Sequence, residues 1–128
     1  MEWVEFVVSA NPGQPLKPLA KVASGGELSR MSLSIQVIAS DGSTIPTMVF
    51  DEVDSGVGGG VAEMVGNKLR SLARFHQVIC ITHLPQIACM ADRHFSVHKA
   101  QQKTRMITTI SELDNDQRIE ELGRMLGG

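Results

Sequence analysis

The sequence contains few cysteines and has no strong excess of charge of one sign. Only Cys80 and Cys89 occur among its 128 residues, too few for the disulfide framework of a small secreted domain. Cys80 lies within the apolar run 78–81, where a free thiol behaves as a small hydrophobe. The formal net charge is −2, so the overall charge does not favour a nucleic-acid or membrane surface.

Long hydrophobic segments are also missing. No apolar run approaches the ~20 residues that a membrane-spanning helix requires, and the first residues lack the charged and apolar regions of a secretory signal. With 42% hydrophobic and 20% charged residues, the composition is that of an ordinary globular domain. These features predict a soluble, intracellular protein with one small core.

The apolar pattern predicts a β-α-β unit in the middle of the chain. Residues 47–50 and 77–82 are short apolar runs, typical of strands buried on both faces. Residues 61–74 between them carry apolar side chains at helical spacing. A crossover of this length allows the two strands to run parallel.

The flanking segments predict further strands and helices. The Val- and Phe-rich segment 3–9 predicts a strand that ends at the Asn-Pro-Gly turn signal 11–13. A polar loop at 99–104 between two alternating segments predicts a hairpin. Helices are expected from residue 24 to the Asp-Gly-Ser stop at 41–43, over 84–91 and over 116–126.

The start of the helix at residue 24 suits an anion. Ser24 and Glu27 have the spacing of a capping box, and Gly25 and Gly26 stand between them. A helix N-terminus presents backbone amides and a positive dipole end to a phosphate, and glycines let a ligand approach the backbone closely. An ordinary capped helix remains the alternative for this motif taken alone.

Two acids and a histidine are predicted to meet at one edge of the sheet. Asp51 and Glu52 follow the strand at 47–50, and His83 follows the strand at 77–82. Ligands of open parallel sheets bind beyond the carboxyl ends of the strands. One carboxylate can hold Mg²⁺ through water, and the next can activate a water for hydrolysis. Alone, the acids could simply end a strand in solvent, and His83 could be a core or capping residue.

Taken together and in this order, the features resemble the head of an ABC-type ATPase. Residues 23–27 resemble the signature motif, and residues 47–52 resemble a Walker B strand with its catalytic glutamate. Asp54 falls where the D-loop begins, and His83 matches the switch histidine. The resemblance implies an α/β fold, part of a P-loop NTPase head of the ABC/SMC type. We expect a mainly parallel sheet, flanking helices and a peripheral β-hairpin.

The residues around these motifs narrow the resemblance to the RecN family, the bacterial SMC-like DNA repair proteins. Residues 11–13, 22–30, 50–56 and 82–88 closely resemble its C-terminal head segment, and the similarity spans essentially all of 1–128. It implies ATP and Mg²⁺ as ligands and a head-to-tail homodimer. It also implies a role in recombinational repair of DNA double-strand breaks, with DNA bound through the full-length protein. The implied location is the bacterial cytoplasm, at the nucleoid.

In that family two heads sandwich two ATP molecules, which implies a signature motif that acts in trans. Ser24, Gly25 and Gly26 would contact the γ-phosphate of ATP held by the other subunit, and Glu27 would belong to the same ATP-binding signature.

The resemblance implies separate roles for the remaining residues. Asp51 would serve Mg²⁺ through water, and Glu52 would activate the attacking water. His83 would sense the γ-phosphate, and Asp54 would couple the two sites across the interface.

Several parts of a complete head are missing from the sequence. It contains no G-x-x-x-x-G-K-S/T loop; in the nearest candidate, 60–68, the glycines are one residue too far apart and Asn67 precedes the lysine. The glutamine loop and the heptad-patterned helices are missing too, and in the family all of these precede the matched region. We therefore expect a fragment or partial gene product. It would need an N-terminal head segment carrying Walker A and would be a poor ATPase alone.

Two other interpretations remain open at this stage. The chain could be a non-catalytic dimerisation or interaction module that only completes a partner's site, or a head fragment of another ABC/SMC-type ATPase. His94 and His98 could suggest a metal site, but on one strand at ~3.3 Å per residue they lie about 13 Å apart.

Overall fold

A computed structural model of the chain describes residues 1–9, 11–22, 25–39 and 44–127. In chain order its elements are β1 (Val7–Val8), β2 (Lys17–Pro18), α1 (Leu19–Val22), α2 (Gly25–Ala39), β3 (Thr47–Phe50), α3 (Gly59–Leu72), β4 (Gln77–Cys80), α4 (Pro85–Ala88), β5 (Phe95–Gln102), β6 (Arg105–Glu112) and α5 (Asn115–Gly127).

The centre of the fold is the β3–α3–β4 unit. The two strands are parallel and in register from Thr47 opposite Gln77 to Phe50 opposite Cys80, and α3 is the crossover between them. This confirms the predicted β-α-β unit, with each element within two or three residues of its expected bounds. The parallel pairing fixes where both strands end, and so positions the residues that follow them.

One face of the β3–β4 pair carries the core. Met48 and Phe50 point from β3 toward the apolar stripe of α3, where Ala62, Val65, Leu69 and Leu72 are buried. These α3 positions recur every three or four residues, as expected for one face of a helix. Leu33 of α2, Val53 and Ile87 complete the same cluster.

The opposite face of the pair is apolar but uncovered by the described part of the chain. Val49 is 62% exposed, Ile79 is 47% exposed and Ile81 is 55% exposed. The expectation that these strands are buried on both faces is therefore wrong for the chain as described, because no second layer packs there. Successive side chains of a strand point to opposite faces. Because Met48 and Phe50 point toward α3, Val49 between them points away from it and is exposed.

The hairpin is longer and tighter than the sequence predicts. β5 and β6 pair antiparallel from Phe95 opposite Glu112 to Gln102 opposite Arg105. The expected loop at 99–104 thus shrinks to two residues, of which Lys103 has a φ of 53°, as the favoured two-residue hairpin turns require. Both sides of β5 are exposed from residue 97 onward, so polar residues such as Gln101 occur on either side and obscure the alternation typical of a strand.

The N-terminal strand is shorter than expected. Within the predicted segment 3–9 only Val7–Val8 is a strand, paired antiparallel with Lys17–Pro18. Outside the described residues lie the proposed cap Ser24 and the helix stop at 41–43.

The α/β class is confirmed, and the described strands form three two-stranded sheets. The β3–β4 sheet is parallel, and the other two described sheets are antiparallel hairpin-like pairs. Among the described helices, none has both the length and the apolar character needed to cross a membrane.

Candidate functional site

The predicted acids and histidine meet at the carboxyl ends of β3 and β4. Asp51 and Glu52 directly follow β3, and His83 lies three residues beyond β4. The backbone ladder continues past the strands, since the Ile81 amide donates to the Phe50 carbonyl over 2.9 Å. An open pocket of about 360 Å³ lies at this rim, lined by Asp51, Glu52, Asp54, Ser55, Gly56, Ile81, Thr82 and His83.

Asp54 joins the two sides of the rim. Its side chain is only 4% exposed, and its Oδ2 atom accepts hydrogen bonds from the Thr82 hydroxyl at 2.5 Å and from the His83 backbone amide at 2.9 Å. The Nδ1 atom of His83 lies 3.1 Å from the same oxygen. Asp54 therefore ties the loop after β3 to the loop after β4.

The surroundings of Asp54 favour its charged form. Burial alone would raise the pKa of this carboxyl, but hydrogen bonds from Thr82 and the His83 amide, with the neighbouring imidazole, outweigh burial and lower the pKa. A buried carboxylate is tolerated when such donors satisfy it.

Thr82 is a site residue that the sequence reasoning missed. Its hydroxyl donates to Asp54 and accepts a hydrogen bond from the Leu84 amide over 3.0 Å. A hydroxyl residue between an apolar strand and the candidate histidine was the available signal. This position of Thr82 indicates a functional residue only when Asp54 is known to be buried and to require hydrogen-bond donors.

Glu52 adopts an uncommon backbone conformation. Its φ is 60°, in the left-handed region that non-glycine residues seldom occupy. Its amide donates to Asp51 Oδ1 over 2.8 Å, which holds the two acids in a tight turn. Such outliers cost on the order of 1–3 kcal/mol and concentrate at functional sites.

The start of α2 packs against this turn. A Cβ atom on Gly25 would lie 2.6 Å from Glu52 Oε2, and one on Gly26 would lie 2.8 Å from Ser55 Cβ. Arg30 strengthens the contact, since its Nη1 donates to the Ser55 carbonyl at 2.8 Å and to that of Val53 at 3.4 Å. Gly26 is therefore needed for this close approach, because a side chain there would meet the Cβ and the backbone carbonyl of Ser55, whereas at Gly25 only the mobile end of the Glu52 side chain would have to move.

The remaining residues of the proposed signature are placed less fully. Ser24 lies outside the described residues. Glu27 does not line the rim pocket; it lines a separate, mainly apolar pocket together with Phe6, Val7 and Met31. Glu27 also has an interaction partner of its own. Among the described signature positions 25–27, Gly25 and Gly26 lie next to the rim residues Glu52 and Ser55.

Cys80 is the last residue of β4 and behaves as a structural thiol. Burial raises its pKa to about 12, and the nearby charges of Asp54 and Asp51 add to this effect. The thiolate is the reactive form of cysteine, so Cys80 is an unreactive part of the core edge.

The rim offers carboxylates without forming a complete metal cage. In the described ranges no group of three or more His, Cys, Asp and Glu side chains is arranged to hold a metal ion. Asp51 is exposed, and one of its two carboxylate oxygens is occupied by the Glu52 amide. This fits Mg²⁺, which keeps several waters and takes one or two carboxylates plus substrate phosphates.

Sequence comparison decides the family. DNA repair protein RecN of Xylella fastidiosa strain 9a5c is 54% identical over 127 residues, which cover 99% of this chain and 23% of that protein. The chain corresponds to a segment of the RecN family. RecN of Vibrio cholerae is 53% identical over 98% of the chain, and RecN of Bacillus subtilis is 44% identical over 100% of it. The chain spans less than a quarter of these RecN proteins, and no protein-family profile matches it.

Solved structures show the fold of this RecN segment. A chain studied for ATP-driven dimerization and DNA-stimulated activation of SMC ATPases aligns with a TM-score of 0.59 at 17% identity, covering 94% of this chain and 79% of that one. The Smc head domain from Pyrococcus yayanosii aligns with a TM-score of 0.64 at 18% identity, covering 92% of this chain and 25% of that one. The segment therefore has the fold of part of an SMC head.

Proposed function

We propose that this RecN segment supplies the hydrolytic residues of an ATPase head that serves recombinational repair of DNA double-strand breaks. The observation that carries the proposal is the convergence of Asp51, Glu52 and His83 on one open rim, at the edge where parallel sheets bind ligands. The RecN relatives are named as DNA repair proteins, which gives the head its biological setting.

The rim residues divide the work of ATP hydrolysis. Asp51 would hold Mg²⁺ through water, and the bound ion would supply positive charge against the phosphates. Glu52 is the general base that activates the attacking water. His83, which is 74% exposed, contacts the γ-phosphate.

The start of α2 serves a second subunit. The 15-residue helix α2 begins at Gly25, so its positive dipole end and first amides are available to a phosphate. Ser24, Gly25 and Gly26 contact the γ-phosphate of ATP held by the other head in a head-to-tail homodimer, and Glu27 belongs to the same motif. Asp54 belongs to the loop that couples the two sites.

The head requires an N-terminal segment that carries Walker A. Two observations support this: the sequence contains no G-x-x-x-x-G-K-S/T loop, and the apolar side chains of Val49, Ile79 and Ile81 are exposed on one sheet face. Contiguous exposed apolar surface marks an interaction site. The chain alone is then a poor ATPase, and the complete protein binds DNA in the bacterial cytoplasm, at the nucleoid.

Replacement of the proposed base tests the function. A chimeric full-length RecN, with this chain in place of the matching segment, should lose turnover by about 10²- to 10⁴-fold on Glu52→Gln, as expected for loss of a general base. ATP binding should persist, because the amide removes no phosphate contact. Glu63→Gln, a change at an exposed glutamate of α3, is the matched control. Unchanged turnover in Glu52→Gln would remove Glu52 from the mechanism.

The uncovered sheet face also supports a second function, that of a non-catalytic interaction module. In that case the chain would bind its partner segment, and the chimera would bind ATP without hydrolysing it. The Glu52→Gln change would then have no turnover to remove, which separates the two functions in one set of assays.

A further inference from the structure

Three polar contacts converge on a single atom at the rim. Asp54 Oδ2 accepts hydrogen bonds from the Thr82 hydroxyl at 2.5 Å and from the His83 amide at 2.9 Å. The Nδ1 atom of the His83 ring lies 3.1 Å from the same oxygen. The carboxylate is 4% exposed whereas the His83 side chain is 74% exposed. The buried Asp54 carboxylate therefore lies beside one edge of the His83 ring, and the rest of this ring is exposed at the open pocket.

The charge of the Asp54 carboxylate favours a proton on the nearer ring nitrogen of His83, the Nδ1 atom 3.1 Å away. An ionised carboxylate only accepts hydrogen bonds, so its charge stabilises the form of the ring that carries the proton at Nδ1. In the neutral ring Nε2 then has a lone pair and faces away from the carboxylate. A hydrogen bond from His83 to a phosphate oxygen therefore requires a proton on Nε2 as well.

We infer that Asp54 and Thr82 are positioning residues for His83, acting within their own chain. Asp54 sets the tautomer and orientation of the ring. The Thr82 hydroxyl donates a hydrogen bond to Asp54 and accepts one from the Leu84 amide at the start of α4. It therefore links Asp54 to the segment that follows His83. The inference deepens the proposed function and rests on it for the kinetic effect. The Asp54 carboxylate is almost fully buried, at 4% exposure, where it meets the Thr82 and His83 donors.

Thr82 offers the cleaner kinetic test, because valine matches its shape and serine keeps its hydroxyl. In the chimeric full-length RecN, Thr82→Val should lower kcat for ATP about tenfold with KM changed less than about twofold, as small misplacements of catalytic groups do. Thr82→Ser should restore kcat to within about twofold of the parent protein. Unchanged kcat in Thr82→Val would overturn the inference.

A double-mutant cycle separates positioning from a general effect on the fold. If Thr82 acts through His83, Thr82→Val should cause no further loss of kcat in a His83→Ala background, because residues that act as a unit are not additive. Additive losses would mean that Thr82 acts independently of the ring, and would overturn the inference.

The ring tautomer tests the inference even if His83→Ala leaves turnover unchanged, a result that would defeat the proposed role of His83 instead. Long-range ¹H–¹⁵N spectra of the histidine-labelled 128-residue chain, recorded where the ring is neutral and assigned with His83→Gln, should show His83 protonated at Nδ1. Asp54→Ala should shift the ring toward Nε2 protonation, because the neighbouring hydrogen bond sets the tautomer. An Nε2-protonated ring in the parent chain would overturn the inference.

Discussion

The two faces of the β3–β4 pair have similar sequences and opposite surroundings. Met48 and Phe50 are buried against α3, whereas Val49, between them in sequence, is 62% exposed. Both sets are apolar, so composition alone does not distinguish the faces. The difference shows that the strand sequence is suited to two covering layers, of which this chain provides one.

The rim lies at the carboxyl ends of β3 and β4, where residues of both faces contribute to it. Val53, fully buried, continues the packed face into the core, and Asp54 beside it reaches Thr82 and His83. Ile81 brings the uncovered face to the edge of the same pocket. A partner segment that covers the open face would therefore also reach the site.

The largest effect is expected on the packed face. Phe50→Ala should lower the free energy of unfolding by about 3–5 kcal/mol, because it removes a buried aromatic ring and leaves a cavity. Val49→Thr, one residue earlier on the open face, should cost less than about 0.5 kcal/mol in the chain alone. Urea unfolding of both variants measures the difference. Equal losses would show that both faces are covered in solution.

The open face should respond instead in association with the N-terminal head segment. Val49→Thr places a hydroxyl in the proposed interface and should weaken binding about tenfold, or about 1.4 kcal/mol. Val97→Thr in β5 is a matched control, since Val97 is a strand valine that is 58% exposed. Calorimetric titration of each variant with the partner segment compares them. Equal affinities would place the partner elsewhere.

A smaller effect is expected from pH at the rim. The pKa of Asp54 is lowered in the folded chain, so its contribution to stability is present above the unfolded pKa of about 3.9 and is lost as pH falls through the folded value. Stability should therefore fall more steeply below about pH 4 in the parent chain than in Asp54→Asn. Asp92→Asn, at an exposed aspartate, is the control for general charge effects. Parallel pH curves for the parent and Asp54→Asn would contradict the lowered pKa.

The topology of the site could be predicted from the sequence. Two apolar runs separated by a helix-length segment dictate parallel strands, and parallel strands bring their carboxyl ends to one edge. The sequence therefore predicts that Asp51, Glu52 and His83 lie on one rim, and all three line the same pocket in the structure.

Local conformation and burial were not predictable in the same way. The residues next to Glu52 in the sequence do not indicate its positive φ. The backbone turn at Glu52 depends on contacts with Asp51 and with the start of α2. The inward turn of Asp54 depends on donors contributed by Thr82 and His83, 28 and 29 residues further along the chain. The hairpin strands were underestimated because exposed polar residues weaken the alternation that marks a strand.

The most direct test of the account is steady-state ATP hydrolysis by this chain, alone and mixed with the N-terminal head segment of a RecN relative. The account predicts turnover only in the mixture, because the phosphate-binding loop and the hydrolytic rim then lie in one head. No turnover in the mixture, with both pieces folded and associated, would contradict it, as would equal turnover by the chain alone.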